Sequence, residues 1–172
     1  MAATVEICES NDSTGESITH GVTNLNFGNA DESQQVYTDH PIPIPGCSYF
    51  KLIRYHVTVA PSNKINNLQV YKSAGAYVTG ESCYANTHVT QGSYDTYKKT
   101  SYSAPNKTEL TGYYALATSD PGSANLGIGG SLTGEITTTG YSDYLMLQLK
   151  GDGTAVPGST NSKTITFEYD EQ

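Results

Sequence analysis

The stretch DPGSANLGIGGSLTGEITTTGYSDYLMLQL, Asp120 to Leu149, decides the fold. It is a Gly-, Ser- and Thr-rich approach that runs into one strongly patterned segment. From Tyr144 onward large side chains alternate, with Leu145, Leu147 and Leu149 on one face and Tyr144, Met146 and Gln148 on the other. A period of two is that of an extended strand with one face in a core. Thr164 to Tyr169 answers it, placing Ile165, Phe167 and Tyr169 on one side and Thr164, Thr166 and Glu168 on the other. The linker between them, GDGTAVPGSTNS, is rich in turn formers, so the two strands are expected to close the chain as a hairpin or a sandwich corner.

Working outward, the same alternation recurs. Thr4 to Cys8 puts Val5 and Ile7 on one face and Thr4, Glu6 and Cys8 on the other, so a strand begins almost at the first residue. Ser17 to Phe27 carries widely spaced apolar residues that suggest one or two short strands. Ser48 to Ala60 is the longest candidate, with Ile53, Tyr55, Val57 and Val59 facing inward and Arg54, His56 and Thr58 facing out. Phe50 and Leu52 have the opposite parity, which implies burial on both faces or a bulge. Further strands are expected over Ile65 to Tyr71, with Leu68 and Val70 inward, over Tyr77 to Tyr84, and over Thr108 to Thr118, with Leu110, Tyr113, Tyr114 and Leu116. Between them, Ala85 to Asn106 is polar and Tyr-rich and reads as a long exposed excursion. HPIPIPG, His40 to Gly46, has prolines at alternate positions; each removes a backbone donor, so the segment suits an extended edge and not a central strand.

No stretch sustains helical apolar spacing, and no linker or internal repeat divides the 172 residues. One domain, residues 1–172, is expected: an all-β antiparallel sandwich of jelly-roll or immunoglobulin-like type with little helix. The composition agrees. Only 15% of residues are charged, and 14 Tyr stand against no Trp, a makeup suited to half-buried pleated surfaces with uncharged polar faces. A net charge of −8 argues against nucleic acid and anionic membrane as partners, since either needs a clustered positive patch; Lys98 and Lys99 are the one adjacent basic pair and read as a solvated loop. No segment approaches the length of a membrane span, and the first residues have neither the basic nor the apolar part of a secretion signal. The N-x-[ST] matches at Asn11 and Asn106 carry no weight without a secretory route.

Chemical signatures are few. Gly127, Gly129 and Gly130 invite a phosphate-loop reading, but a dinucleotide fingerprint needs a glycine where Leu132 stands, and no Gly-Lys-[Ser/Thr] ending follows. Gly130 to Gly134 lacks the spacing of a nucleophile elbow. His20, His40, His56 and His88 lie in separate segments without a local ligand or triad spacing, and His56 reads as a solvent-facing strand residue. Cys8, Cys47 and Cys83 form no C-x-x-C pair, so neither zinc nor a disulfide framework is suggested; one pair could bridge in oxidising surroundings, leaving a third thiol over. Acidic and amide loop residues at Asn11, Asp12, Asp31, Glu32, Asp152, Asp170 and Glu171 contain no calcium-loop pattern. We therefore expect no catalytic residue, no cofactor and no metal site. The tyrosines suit protein interfaces, where a large rigid ring with a polar tip is useful.

As strings, Phe50 to Val57, Asn67 to Glu81, Asp120 to Leu149 and the terminal KTITFEYDE, Lys163 to Glu171, resemble a group of tailed-bacteriophage virion structural proteins. The likeness covers most of the chain; its most specific part is the Gly-rich run through YSDY, and Asn86 to Asn106 stands outside it. The resemblance implies a non-enzymatic β-sandwich attached to the capsid or tail of a virion assembled in the host cytoplasm. A capsid decoration or cement protein is the leading expectation, with the major capsid protein, other virion proteins and copies of itself as partners. Expected docking residues are Pro41, Ile42, Pro43, Ile44 and Pro45, the loop tyrosines Tyr94, Tyr97 and Tyr102, and Leu126 and Ile128 in the Gly-rich loop. The alternatives are a tail, adaptor or fibre component, expected as rings or trimers, and a carbohydrate- or host-surface-binding module that depends on those tyrosines.

Overall fold

The computed structural model describes residues 2–87, 100–110, 114–156, 158 and 161–172, and within them the chain forms strands and no helix. The strands are β1 (Thr4–Asn11), β2 (Ser17–Thr19), β3 (Gly46–Cys47), β4 (Lys51–Val59), β5 (Ile65–Ala74), β6 (Glu81–Ala85), β7 (Tyr114–Ala115), β8 (Gly140–Tyr141), β9 (Leu145–Gly151) and β10 (Thr164–Glu171). The larger sheet runs β2-β1-β4-β9-β6-β7, with β3 paired along β9 and β8 along β4; β10 and β5 pair into a second, two-stranded sheet. Every pairing is antiparallel, and the two sheets pack face to face as a β-sandwich.

Parity decides what lies between the sheets. Ile53, Tyr55 and Val57 of β4, Leu145 and Leu147 of β9, and Cys83 and Ala85 of β6 meet Ile65, Leu68 and Val70 of β5, while Ile165, Phe167 and Tyr169 of β10 close one side. Leu145 and Leu147 are 0% exposed, and burial of each such side chain stabilises the fold by roughly 1.5–3 kcal/mol. Tyr55 ties the layers together: its ring stands edge-on to Phe167 and Tyr169, and its hydroxyl donates to the Glu168 carbonyl at 2.9 Å. Val59 departs from the expected pattern, being largely exposed where β4 runs to its end.

The burial of the central strand goes beyond the sequence pattern. The opposite face of β9, Tyr144, Met146 and Gln148, is also buried, together with Phe50 and Leu52 of the β3–β4 region. A strap over residues 102–110 covers it: Leu110 and Tyr102 pack on this second cluster, and Gln148 is held by the Leu110 amide at 2.9 Å and the Thr108 carbonyl at 3.1 Å. Of the two closures expected for the last two strands, hairpin or corner, the structure has the corner. β9 belongs to the large sheet and β10 to the small one, so the turn-rich linker makes a sandwich corner. Of the strand expected over Thr108 to Thr118, the described residues show β7, and residues 111–113, Tyr113 among them, lie outside these.

The edges differ in protection. Among the described residues the large sheet ends on the short strands β2 and β7. The edge of β5 away from β10 is covered by residues 117–126: Asn125 donates its side-chain amide to the Val70 carbonyl and accepts from the Val70 amide, both at 2.8 Å, and the Lys72 amide donates to the Ala117 carbonyl at 2.7 Å. Because Val70 and Lys72 point these groups away from β10, their register partners Phe167 and Ile165 point theirs away from β5, toward the outside. Gly129 and Gly130, at φ +60° and +82°, turn the loop, and a Cβ on Gly134 would stand 2.1 Å from the Ile128 carbonyl oxygen.

Candidate functional site

The docking residues expected from sequence do not share one surface. Pro41, Pro43, Ile44 and Pro45 are exposed and Ile42 is half-buried, on a connection that also presents Val36 and Tyr37 to solvent. Leu126 is 2% exposed and belongs to the inter-sheet core, and Ile128 is half-buried against it, so neither offers its side chain as an open docking surface. The ring of Tyr102 lies near Tyr144 and its hydroxyl donates to the Asp12 carbonyl, so it is engaged within the chain. Tyr94 and Tyr97, with His88, Lys98 and Lys99, lie outside the described residues.

A grouping that local spacing did not announce lies on the outer face of β1 and β4. Alternation along β1 puts Glu6 and Cys8 on that face, and the β1–β4 register sets His56 directly opposite Glu6. Past β2, the chain carries His20 back beside Cys8 before Gly21, at φ +62°, turns it away. One carboxylate oxygen, Glu6 Oε1, stands 2.7 Å from His20 Nδ1 and 2.7 Å from His56 Nδ1. Cys8 Sγ is 3.3 Å from His20 Nδ1 and 3.8 Å from Glu6 Oε1. Among the described residues this is the set of His, Cys and carboxylate groups whose ligand atoms converge, all within 4.8 Å of one another.

Its surroundings fix it from one side and leave it open on the other. Tyr141, opposite His56 in the β4–β8 register, stacks on the imidazole at 4.1 Å and 7°. The Arg54 guanidinium then lies over the rings of Tyr141 and Tyr144, at 4.4 and 4.3 Å, and its Nε donates to the Ser142 carbonyl at 3.0 Å. Cys8 is fully buried, whereas the His20 side chain is half exposed. Hydrogen bonds from His56 first and His20 second hold the Glu6 carboxyl below the usual range, and burial, helped by the Glu6 charge, pushes the Cys8 thiol up to about 11. The sequence reading of His56 as solvent-facing is therefore corrected: it is mostly buried, stacked and bonded to Glu6. The signal available beforehand was parity alone, since Glu6, Cys8 and His56 all fall on the polar side of their strands. All three cysteines are buried free thiols.

On the inner face of the same strand pair, Glu9 and Lys51 form a sealed ion pair. Lys51 Nζ donates to Glu9 Oε1 at 2.8 Å and to the Glu32 carbonyl at 2.6 Å, while Asn11 and Ser33 donate to the two Glu9 oxygens at 3.2 and 3.1 Å. No protein-family model, curated protein or solved structure matches this chain.

Proposed function

We propose that the chain is a non-enzymatic virion structural protein of a tailed bacteriophage, a capsid decoration or cement protein that docks on the major capsid protein lattice. The observation that carries the reading is the outer edge of β10. This eight-residue strand has β5 as its one strand neighbour among the described residues, and the amides and carbonyls of Ile165 and Phe167 face away from it. An edge of that length is a template for strand addition, and monomeric proteins blunt such edges or use them. Among the described residues the other edges are short or covered, which favours use. An extended segment of the capsid protein, laid antiparallel or parallel on β10, would gain main-chain hydrogen bonds without any rearrangement of the sandwich. The resemblance of Asp120 to Leu149 and Lys163 to Glu171 to virion structural proteins points the same way, as does the exposed, proline-stiffened surface at Pro41 to Pro45. A net charge of −8 keeps free copies apart before they meet the shell.

Amide hydrogen exchange of the free protein and of the protein bound to phage shells tests this. The Ile165 and Phe167 amides are expected to exchange quickly when free and to become protected on the shell. Unchanged exchange at both positions in shell-bound protein, or failure to co-sediment with shells, overturns the reading.

A further inference from the structure

We propose that Glu6, Cys8, His20 and His56 form a binding site for one Zn²⁺ ion on the outer face of β1 and β4. The donor set is a thiolate sulfur, two imidazole nitrogens and a carboxylate oxygen, the ligand types zinc takes in four-coordinate protein sites. In a tetrahedral zinc site the donor atoms are separated by about 3.3 to 3.6 Å, from Zn–N near 2.0–2.1 Å and Zn–S near 2.3 Å. The Cys8 Sγ to His20 Nδ1 distance of 3.3 Å already has that spacing, and Cys8 Sγ to Glu6 Oε1 at 3.8 Å lies just beyond it. The two Glu6–imidazole distances of 2.7 Å are those of hydrogen bonds, so an ion enters as the two shared protons leave to solvent or move to the Nε2 atoms, with these three groups spreading by roughly half an ångström.

Several features suit this exchange. Glu6 and Cys8 project from one strand at positions i and i+2, and His56 from the adjacent strand in register, so rigid backbone sets three of the four ligands. His20 closes the set from the end of β2, and its half-exposed ring gives the ion a path from solvent. The stack of Arg54, Tyr141 and His56 fixes the imidazole plane before any ion arrives. Cys8 Sγ lies 3.3 Å from His20 Nδ1 and 3.8 Å from Glu6 Oε1, where a bound dication would hold the sulfur as the thiolate and its proton would pass to solvent. The Glu9–Lys51 pair on the inner face offers no such site, because a lysine already fills the position of the cation.

Titrating metal-stripped protein with Co²⁺ as a spectroscopic probe, then with Zn²⁺, tests the site. The expected result is a one-to-one endpoint with tetrahedral visible bands and a sulfur-to-cobalt charge-transfer band, all abolished by one equivalent of Zn²⁺. Cys8→Ser is expected to remove the charge-transfer band, and His20→Asn to weaken Zn²⁺ binding at least tenfold, while His40→Asn, outside the cluster, leaves both unchanged. His20 is half exposed, so His20→Asn keeps the test decisive should Cys8→Ser fold poorly. Octahedral spectra without a charge-transfer band, or Zn²⁺ affinity unaffected by His20→Asn, overturns the proposal.

Discussion

Two polar groups sit back to back on the same pair of strands, and they have been treated in opposite ways. Glu9 and Lys51 face inward, are 0% and 1% exposed, and have every charge answered by a neighbour: Asn11, Ser33 and the Glu32 carbonyl complete the pair. Glu6, Cys8, His20 and His56 face outward, share a single carboxylate oxygen among two imidazoles and a thiol, and leave one ring in solvent. A shift of one position along β1 separates the two worlds, because successive side chains of a strand point to opposite faces. The inner group holds the connection over residues 28–40 against the end of the sandwich. The outer group is braced by aromatic stacking and opens to solvent at His20.

The comparison is broken most severely at Lys51. Lys51→Met strips a buried carboxylate of its counter-charge and is expected to cost about 3–5 kcal/mol in urea unfolding, most of which returns in the Glu9→Leu, Lys51→Met double variant. Next in size is the effect of metal on the outer group. Zn²⁺ at a hundredfold excess over its dissociation constant is expected to stabilise the native protein by about 2.7 kcal/mol, and this gain should vanish in His20→Asn. Removing one donor to the inner pair, by Ser33→Ala, is expected to cost about 1–2 kcal/mol, since Glu9 Oε2 then loses its 3.1 Å hydrogen bond away from water. Smallest of all, His20→Asn in metal-free protein is expected to change stability by less than about 0.5 kcal/mol, because the hydrogen bond it breaks lies beside a half-exposed ring in contact with water. A cost for His20→Asn as large as that of Lys51→Met would erase the distinction between the two groups.

How much of this could be read beforehand follows from the range over which each feature is encoded. Alternation is local, so the strands around Ile7, Ile53, Val70, Leu147 and Phe167 and the faces they bury were legible, as was the all-β class. The second buried face of β9 was not, because Tyr144, Met146 and Gln148 look like a polar-leaning outer face until a strap from residues 102–110 lies over them. The partner of β10 was hidden for a similar reason: a turn-rich linker serves a hairpin and a corner equally, and only packing between sheets chooses. Leu126 shows the converse, an apolar residue in a Gly-rich loop that is drawn into the core because the loop runs along β5. The outer polar group is assembled from residues 12, 14 and 50 positions apart, which strand register alone brings together. No linear spacing announces such a set.

The most direct measurement is anomalous diffraction at the zinc absorption edge from crystals of the protein grown with one equivalent of Zn²⁺. One peak is predicted per chain, about 2.0–2.3 Å from donor atoms of Glu6, Cys8, His20 and His56, with the Glu9–Lys51 pair intact and unmetallated. A peak at any other group, or no peak with Glu6 still bonded to both imidazoles, would contradict the account.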